Sequence, residues 1–371
     1  MLESRLWRGC REASTWRRWR HNVGGTTIAG LRTEPGRPSE VEMMRVAGLS
    51  LLLTSLVAAP QIASAASLQV LWRAPVGTVE PGVFYRFATC PDGVTVVVNS
   101  NGRLVLVSGS GAVILTRDLD SITGASAAHC STDGVIFIAA NGWLRAFRWT
   151  GTDVVPERSL WIAGLTNQLL VTPTGQIYTL GVAKLGARHV NLRQFRASDG
   201  SLIAAPDIGR ALHTNSGLFD DLATNGVLLW LSAQRSVLFF PPNPFEVWRF
   251  NDNGAVVGAK SLVAAADFET APPPASLQPQ WRFVDKVIGA ASLPSGELAV
   301  QIAPMPGSNK DRFGWRYGYL QIMDQNLSPE ASIEPQERLG MLSGSDTHGD
   351  LYFVNLIVQS QGFVVKARLA Q

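Results

Sequence analysis

Six short glycine-ended segments, each followed directly by a run of strand-forming residues, recur along this chain of 371 residues. Successive glycines are separated by 41, 41, 51, 70 and 53 residues. About 40–45 residues suffice for one four-stranded unit, so the longer spacings indicate insertions into a repeated unit. In such a chain each unit buries its apolar face against the next, and this requirement restricts the fold more than any single residue does. The six glycines are Gly93, Gly134, Gly175, Gly226, Gly296 and Gly349.

The first repeat has the pattern of an antiparallel meander. Phe84–Cys90 and Val94–Val98 flank the turn Pro91–Gly93, and the turn Asn99–Gly102 leads into Arg103–Val107. Asn and Gly between apolar runs are a strong hairpin signal, because both residues tolerate positive φ. The sequence therefore predicts an all-β fold, a six-bladed β-propeller of four-stranded antiparallel blades.

The last repeat lacks a fourth strand of its own. Only Arg368–Gln371 follows Ala367, whereas the strand-like Leu68–Trp72 precedes the first repeat without a partner. We predict that this N-terminal strand completes blade six, because such closure leaves no unpaired strand edge between the first and last blades.

The unit Asp92–Val107 resembles the repeats of bacterial six-bladed propellers of the NHL and TolB-like kinds, with some likeness to quinoprotein-type propellers. The resemblance implies the fold and little about function, since such propellers include scaffolds, ligand sensors, lyases and dehydrogenases. The chain has fewer repeats than quinoprotein dehydrogenases and lacks their recurring tryptophan-docking signature. Both departures argue against a quinone cofactor.

The chain before residue 66 has the pattern of a leader followed by an export signal. The basic segment 43–45 precedes the apolar run Val46–Ala59, which is followed by the small residues Ala63–Ala65. This order predicts a signal peptide over residues 43–65, since the apolar run is shorter than the ~20 residues that a retained membrane span needs. We interpret residues 1–42, which are rich in Arg and Trp, as a disordered leader or an over-extended translation start.

Cleavage before Ala66 leaves residues 66–371 as the propeller domain, which we expect to be secreted or periplasmic and monomeric. Residues 1–65 contain nine of the 32 basic and five of the 29 acidic residues, so the domain keeps 23 basic and 24 acidic residues. A net charge of −1 gives no basic footprint for nucleic acid. We also expect no membrane contact after the signal is removed.

Three long insertions are predicted on one face of the ring, namely Arg235–Phe245, Asp267–Phe283 and Ala303–Tyr317. They are rich in aromatic residues and arginine, side chains that suit a surface for a protein, peptide or glycan. The alternative is that these side chains plug the channel or pack on one another. The predicted binding residues are Phe239, Phe240, Phe245, Trp281, Phe283, Arg312, Phe313, Trp315, Arg316 and Tyr317.

The first residues of the inner strands are expected to rim the mouth of the central channel. Arg86, Asp220, Asp221 and Asp285 are placed there by the repeat. Two or three carboxylates at such a mouth could hold Ca²⁺ or act as an acid and base pair, and the alternative is a structural ion-pair network. No other metal site or cofactor is expected.

Cys90 and Cys130 are the two cysteines after residue 65, and both lie at the end of a predicted inner strand. An exported protein favours a disulfide between them, whereas neighbouring inner strands are often too far apart for one, so the pairing stays open. His129, His189, His213 and His348 occupy different blade positions, which does not favour a zinc or lyase centre.

Together these patterns favour a non-catalytic module that binds a protein or glycan at the insertion-bearing face. The alternative hypothesis is a lyase or hydrolase whose substrate enters the central channel, with Ca²⁺ as a candidate cofactor. The residues leave open whether the chain is an enzyme.

Overall fold

The computed structural model describes residues 66–186, 188–206, 208, 226–241, 246–261, 286–303, 318–334, 338–357 and 360–370. All of them belong to one compact unit, Pro60–Gln371. The predicted leader (1–42) and signal peptide (43–65) lie outside the described residues. The described chain forms 24 strands in six four-stranded antiparallel sheets.

The first three blades follow one another along the chain. Blade 1 contains β2 (Tyr85–Thr89), β3 (Thr95–Asn99), β4 (Arg103–Val107) and β5 (Val113–Asp118). Blade 2 contains β6 (Ala125–Cys130), β7 (Val135–Ala140), β8 (Trp143–Trp149) and β9 (Val154–Trp161). Blade 3 contains β10 (Leu165–Val171), β11 (Gln176–Leu185), β12 (Arg188–Arg196) and β13 (Leu202–Ala204).

The other three blades keep this plan. Blade 4 contains β14 (Val227–Leu231), β15 (Ser236–Phe240), β16 (Glu246–Asn251) and β17 (Val256–Ser261). Blade 5 contains β18 (Lys286–Ser292), β19 (Leu298–Ala303), β20 (Tyr319–Met323) and β21 (Pro329–Ile333). Blade 6 contains β22 (Met341–Ser345), β23 (Leu351–Asn355), β24 (Gln361–Ala370) and β1 (Ser67–Thr78).

The innermost strands of the six blades form a closed ring. β2, β6, β10, β14, β18 and β22 contact one another in this order, and β22 contacts β2 again. The six-bladed propeller predicted from the repeats is therefore confirmed.

The N-terminal strand closes this ring, as the unpaired last repeat predicted. β1 pairs antiparallel with β24 from Ser67 opposite Ala370 to Thr78 opposite Gln361, and becomes the outermost strand of blade 6. Residues from the chain's first and last described strands therefore share one hydrogen-bonded sheet.

The core consists of layers between neighbouring blades. In β3, Val96 and Val98 pack in the cluster shared with blade 2, whereas Val97 packs in the cluster shared with blade 6. All five residues of β3 are buried because both faces of the strand are covered. This arrangement explains the continuous apolar runs in the second strands, where a half-exposed strand would alternate.

The glycine-ended turns join the first and second strands of five of the six blades. Gly93 has φ +83°, and the preceding Asp92 accepts a hydrogen bond from Val94 N through Oδ1 at 3.0 Å. A Cβ on Gly93 would also lie 2.3 Å from the hydroxyl of Tyr352 in blade 6. Glycine is therefore needed there for the backbone conformation and for the close approach of the next blade.

Blade 4 departs from the predicted phase of the repeat. Val227–Leu231 was expected to be the second strand after the Gly226 turn, but it is the innermost strand, β14. The first turn of this blade is Ser232–Arg235, where Arg235 takes the left-handed conformation (φ 45°) that glycine takes elsewhere. This turn lacks the glycine that marks the first turn of the other blades. The predicted insertion Arg235–Phe245 is therefore wrong over its first part, because Arg235 ends the turn and Ser236–Phe240 is the second strand, β15.

The two faces of the ring differ in loop length. On one face, here called the turn face, every connection between first and second strands or between third and fourth strands spans four or five residues. The opposite face, here called the hairpin face, carries the connections between second and third strands and those between blades. Its strand ends flank the long segments 205–226, 262–285 and 304–318.

Helix is nearly absent from the described residues. Two short 3-10 turns, Asp120–Ile122 and Ser232–Gln234, are the helical elements found there. Neither has the length or the apolar surface that would span a bilayer.

Candidate functional site

The channel-mouth arginine, Arg86, is held within the ring. Its Nε donates to Ser126 O at 2.6 Å and an Nη donates to Tyr85 O at 2.8 Å. Burial lowers the pKa of its guanidinium. Arg86 therefore links the inner strands of blades 1 and 2 through backbone carbonyls.

Further hydrogen bonds join inner strands near the turn face. Ser292 Oγ donates to Trp230 O at 2.9 Å, and Ser345 Oγ donates to Ser292 O at 2.6 Å. The hydroxyls of Thr89 and Ser343 are 2.7 Å apart, which joins blade 1 to blade 6. These small polar side chains hold neighbouring blades together and keep the inner ring rigid.

His129 makes the corresponding contact between blades 2 and 3. Its Nε2 is 3.3 Å from Val171 O. Burial lowers the pKa of this imidazole to about 4, although the hydrogen bond to Val171 opposes the shift. His129 is therefore neutral at neutral pH and acts as a packed inter-blade side chain.

The open question of the two cysteines is answered by a disulfide between Cys90 and Cys130. Their Cα atoms are 5.0 Å apart, and both residues are buried in the cluster between blades 1 and 2. The bond joins the end of β2 to the end of β6 at the turn face.

Two residues of the predicted aromatic surface lie in the core. Phe239 and Phe240 are in β15 with 0% exposure, packed in the clusters shared with blades 3 and 5. They cannot contact a partner, and their assignment to an exposed loop followed from the misplaced phase of blade 4. The other eight predicted binding residues, Phe245, Trp281, Phe283, Arg312, Phe313, Trp315, Arg316 and Tyr317, lie outside the described residues.

The channel-mouth carboxylates also lie outside the described part of the chain. Asp220 and Asp221 were expected to begin an inner strand, but the inner strand of blade 4 begins later, at Val227. Asp285 directly precedes β18. Among the described residues no group of three His, Cys, Asp or Glu side chains is placed to hold a metal ion.

A pair of exposed tryptophans lies at the hairpin face of blade 2. Trp143 begins β8, Trp161 ends β9, and the two residues are directly opposite in the strand pairing. Their rings meet edge to face with centroids 5.1 Å apart. Exposure is 38% for Trp143 and 56% for Trp161, which is high for a side chain that is mostly buried on average.

Polar groups adjoin this tryptophan platform, the name used here for Trp143 and Trp161. The guanidinium of Arg145 lies 5.0 Å from the centre of the Trp143 ring. One Nη of Arg145 donates to Ser159 Oγ at 2.6 Å, which fixes the guanidinium beside the ring. The platform thus combines an apolar surface with a charged donor and a hydroxyl.

Buried contacts hold the platform in place. Gly142 directly precedes Trp143, and Ile162 directly follows Trp161. Ile162 N donates a hydrogen bond to Gly142 O at 2.9 Å, which links the two strands beside the tryptophans. The guanidinium of Arg193, which is 1% exposed, donates to Ile162 O at 2.7 Å and Ala163 O at 2.6 Å. The backbone that follows Trp161 is therefore fixed before any ligand arrives, which reduces the entropy cost of binding.

A separate charged cluster is found on the turn face of blade 6. Lys366 Nζ bridges Asp346 and Asp350 at 3.0 and 2.9 Å, and Arg368 binds both oxygens of Asp350 at 2.6 and 2.9 Å. Burial opposes ionisation of Asp346, but hydrogen bonds from Lys366 and Tyr352 outweigh it and keep its pKa below the usual range. The hydrogen bond from Arg368 lowers the pKa of Asp350. Because these charges satisfy one another, we interpret the cluster as structural.

The sequence carries a signal for the platform. Trp143 follows the hairpin residues Asn141 and Gly142, and Trp161 lies in the outermost strand, where side chains have no further strand to cover them. Their meeting depends on the register of β8 and β9, which includes an irregularity between Ala146 and Phe147.

Comparison with known proteins agrees with the fold. No protein-family model matches the sequence, and no curated protein matches it. Among solved structures, a member of the DUF4221 family from Bacteroides vulgatus is 9% identical with a TM-score of 0.52, over 82% of this chain and 99% of that one.

Two further structures are similar to this chain. A protein of unknown function from Bacteroides caccae is 15% identical with a TM-score of 0.46, over 71% of this chain and 86% of that one. A gluconolactonase from Xanthomonas campestris is 12% identical with a TM-score of 0.48, over 82% of this chain and 89% of that one. At such low identity none of these similarities assigns a function, which has to be argued from this chain's own residues.

Proposed function

We propose that this protein is a secreted or periplasmic binding module that recognises a glycan on the hairpin face without catalysing a reaction. The observation that carries the proposal is the exposed tryptophan platform, Trp143 and Trp161. A sugar ring presents an apolar C–H face that stacks on indole, and hydroxyls at its edge that need donors and acceptors. Arg145 and Ser159 supply polar groups of this kind beside the rings.

The difference in loop length between the two faces also favours the hairpin face as the binding surface. The turn face has only short turns, whereas the strand ends of the hairpin face flank three long segments. Binding residues are commonly carried on long loops that a rigid scaffold positions.

A glycan microarray and titration calorimetry with the strongest array ligand test the proposal. Trp161→Ala should weaken binding at least tenfold, because hot-spot aromatic residues contribute ~2 kcal/mol or more to an interface. Val155→Ala is the matched control, since Val155 is a 47% exposed residue of the same strand, at the turn-face end. Unfolding temperatures of both variants should remain near that of the wild type.

Binding by Trp161→Ala as strong as that of the wild type would refute the role of the platform. If the wild-type protein bound peptides on a peptide array and no glycan on the glycan array, the ligand would be a protein and the glycan proposal would be wrong.

The alternative of a lyase or hydrolase in the central channel rests on Asp285, which directly precedes β18. A screen for lactone, ester and uronate-polymer cleavage, with and without Ca²⁺, tests it directly. Activity that is lost in Asp285→Asn and kept in Trp161→Ala would favour the enzyme over the binding module.

A further inference from the structure

A cavity of about 300 Å³ opens at the seam where blade 6 meets blade 1. Its walls come from the end of β1, the start of β2, the end of β3 and the start of β4. These strand ends place the cavity on the hairpin face. Its volume is at the lower end of the range for small-molecule sites, so it suits a ligand of few atoms.

The inner wall of this seam cavity is apolar. Val97 and Val105 line it, and both belong to the buried cluster between blades 1 and 6. An aliphatic ligand group that packed on these two valines would extend the inter-blade core, and its own apolar surface would be removed from water.

A buried amide also lines the cavity. Asn99 is 3% exposed, and its Oδ1 accepts hydrogen bonds from Asn101 N at 3.0 Å and Arg103 N at 2.9 Å. These two bonds fix the orientation of the amide and commit its oxygen. Nδ2 makes no hydrogen bond within the described residues, so it can donate to a molecule in the cavity.

Two further donors line the same cavity. The hydroxyl of Tyr85 accepts a hydrogen bond from Glu80 N at 3.1 Å, so its own proton is available to a ligand. The exposed guanidinium of Arg103 forms no ion pair within the described chain. With Asn99 Nδ2, these groups form a set of donors that matches a carboxylate, which accepts several hydrogen bonds at once.

One acidic side chain gives the cavity a second charge. Glu80 lines it, and the hydrogen bond that its carboxylate accepts within the described residues is long, 3.5 Å from Asn101 Nδ2. An ammonium group would satisfy this carboxylate. The cavity thus combines an anion, a cation and an aliphatic wall within a small volume.

We propose that the seam cavity binds a free amino acid with an aliphatic side chain. Arg103, Asn99 and Tyr85 hold its carboxylate, Glu80 holds its ammonium, and the side chain lies on Val97 and Val105. This inference does not rest on glycan binding, because the tryptophan platform belongs to blade 2 and the cavity to the seam of blades 6 and 1.

Titration calorimetry of the purified protein with L-leucine is the primary test. We expect a Kd below about 1 mM. N-acetylleucine, leucinamide and glycine each lack one recognised group, and each should bind at least tenfold more weakly than leucine. The absence of binding by leucine at concentrations up to about 10 mM would overturn the proposal.

A peptide separates a free amino acid from the end of a polypeptide. Ala-Ala-Leu carries the same carboxylate and side chain, but its leucine nitrogen is an amide. Tenfold weaker binding of this peptide supports a free amino acid, whereas equal binding overturns the role of Glu80.

Variants test the individual contacts. Arg103→Gln should weaken leucine binding at least tenfold, while Lys184→Gln, which removes one exposed charge from β11, should leave it unchanged. Glu80→Gln should weaken the binding of leucine and not that of N-acetylleucine. Equal losses for both ligands, or an unaffected Arg103→Gln variant with a wild-type unfolding temperature, would contradict the assignment.

Discussion

The disulfide between Cys90 and Cys130 is expected to make a large contribution to stability. It joins the ends of two neighbouring inner strands and closes a loop of 40 residues, which contains β3, β4 and β5 of blade 1 and β6 of blade 2. Opening it would leave the folded contacts of blades 1 and 2 in place while freeing this part of the unfolded chain. The main effect is therefore on the entropy of the unfolded state.

The loop length gives the expected magnitude. In the chain-entropy model, a closed loop of 40 residues stabilises the folded state by about 4 kcal/mol at 25 °C. For domains of somewhat smaller size, a loss of 1 kcal/mol in unfolding free energy lowers the unfolding temperature by about 2–4 °C. Reduction of the disulfide should therefore lower the unfolding temperature of this protein by about 10 °C.

Thermal unfolding followed by circular dichroism measures this effect in three samples: the oxidised protein, the protein with excess reductant, and Cys90→Ala/Cys130→Ala. The last two should unfold at similar temperatures, both well below the oxidised protein. Reductant should not change the double variant, which is the control for unspecific effects.

A change in unfolding free energy below about 1 kcal/mol on reduction would refute the reasoning. Titration of two free thiols in protein denatured without reductant would remove its premise. If the double variant alone were destabilised, lost packing of the two buried side chains would be the cause instead of chain entropy.

Three further outcomes are expected. Deletion of residues 66–74 removes most of β1. The free energy of unfolding measured in urea should fall by about 5 kcal/mol or more, since the buried edge of blade 6 loses its cover. An unchanged urea midpoint of unfolding would contradict closure of the ring by this strand. Lys366→Met leaves the buried Asp346 and Asp350 without their shared cation and should cost about 3–5 kcal/mol in the same assay, whereas a neutral result would show that Arg368 alone suffices. His129 has a pKa of 6.5 in its ordinary state and about 4 when folded, so its contribution is complete above pH 6.5 and is lost as the pH falls toward 4, by up to about 3 kcal/mol. Denaturant titrations from pH 7 to 4 should show this slope in the wild type and a smaller one in His129→Gln; equal slopes would exclude His129 as the cause.

Most of the fold could be predicted because the information is local and repeated. A turn such as Asp92–Gly93 predicts one hairpin. The continuous apolar runs beside it predict a sheet that is buried on both faces. The unpaired Leu68–Trp72 then predicted the closing strand, which β1 confirms. Blade 4 escaped this reasoning because Arg235 adopts positive φ without the glycine that marked the other turns.

The candidate site depends on contacts that are not local in the sequence. Trp143 and Trp161 are opposite each other only through the register of β8 with β9. Asn99 lines the cavity together with the end of β1, which the closed ring places in blade 6. Residue composition predicted a binding surface on aromatic-rich loops instead. Two of the predicted surface residues, Phe239 and Phe240, are in the core.

The pairing of β1 with β24 has a consequence for biosynthesis. Nearly the whole domain must be translated before blade 6 can assemble, because its outer strand is made first and its third strand last. Until then the nascent chain is an open arc that exposes an apolar flank at each end, a state prone to association with other chains.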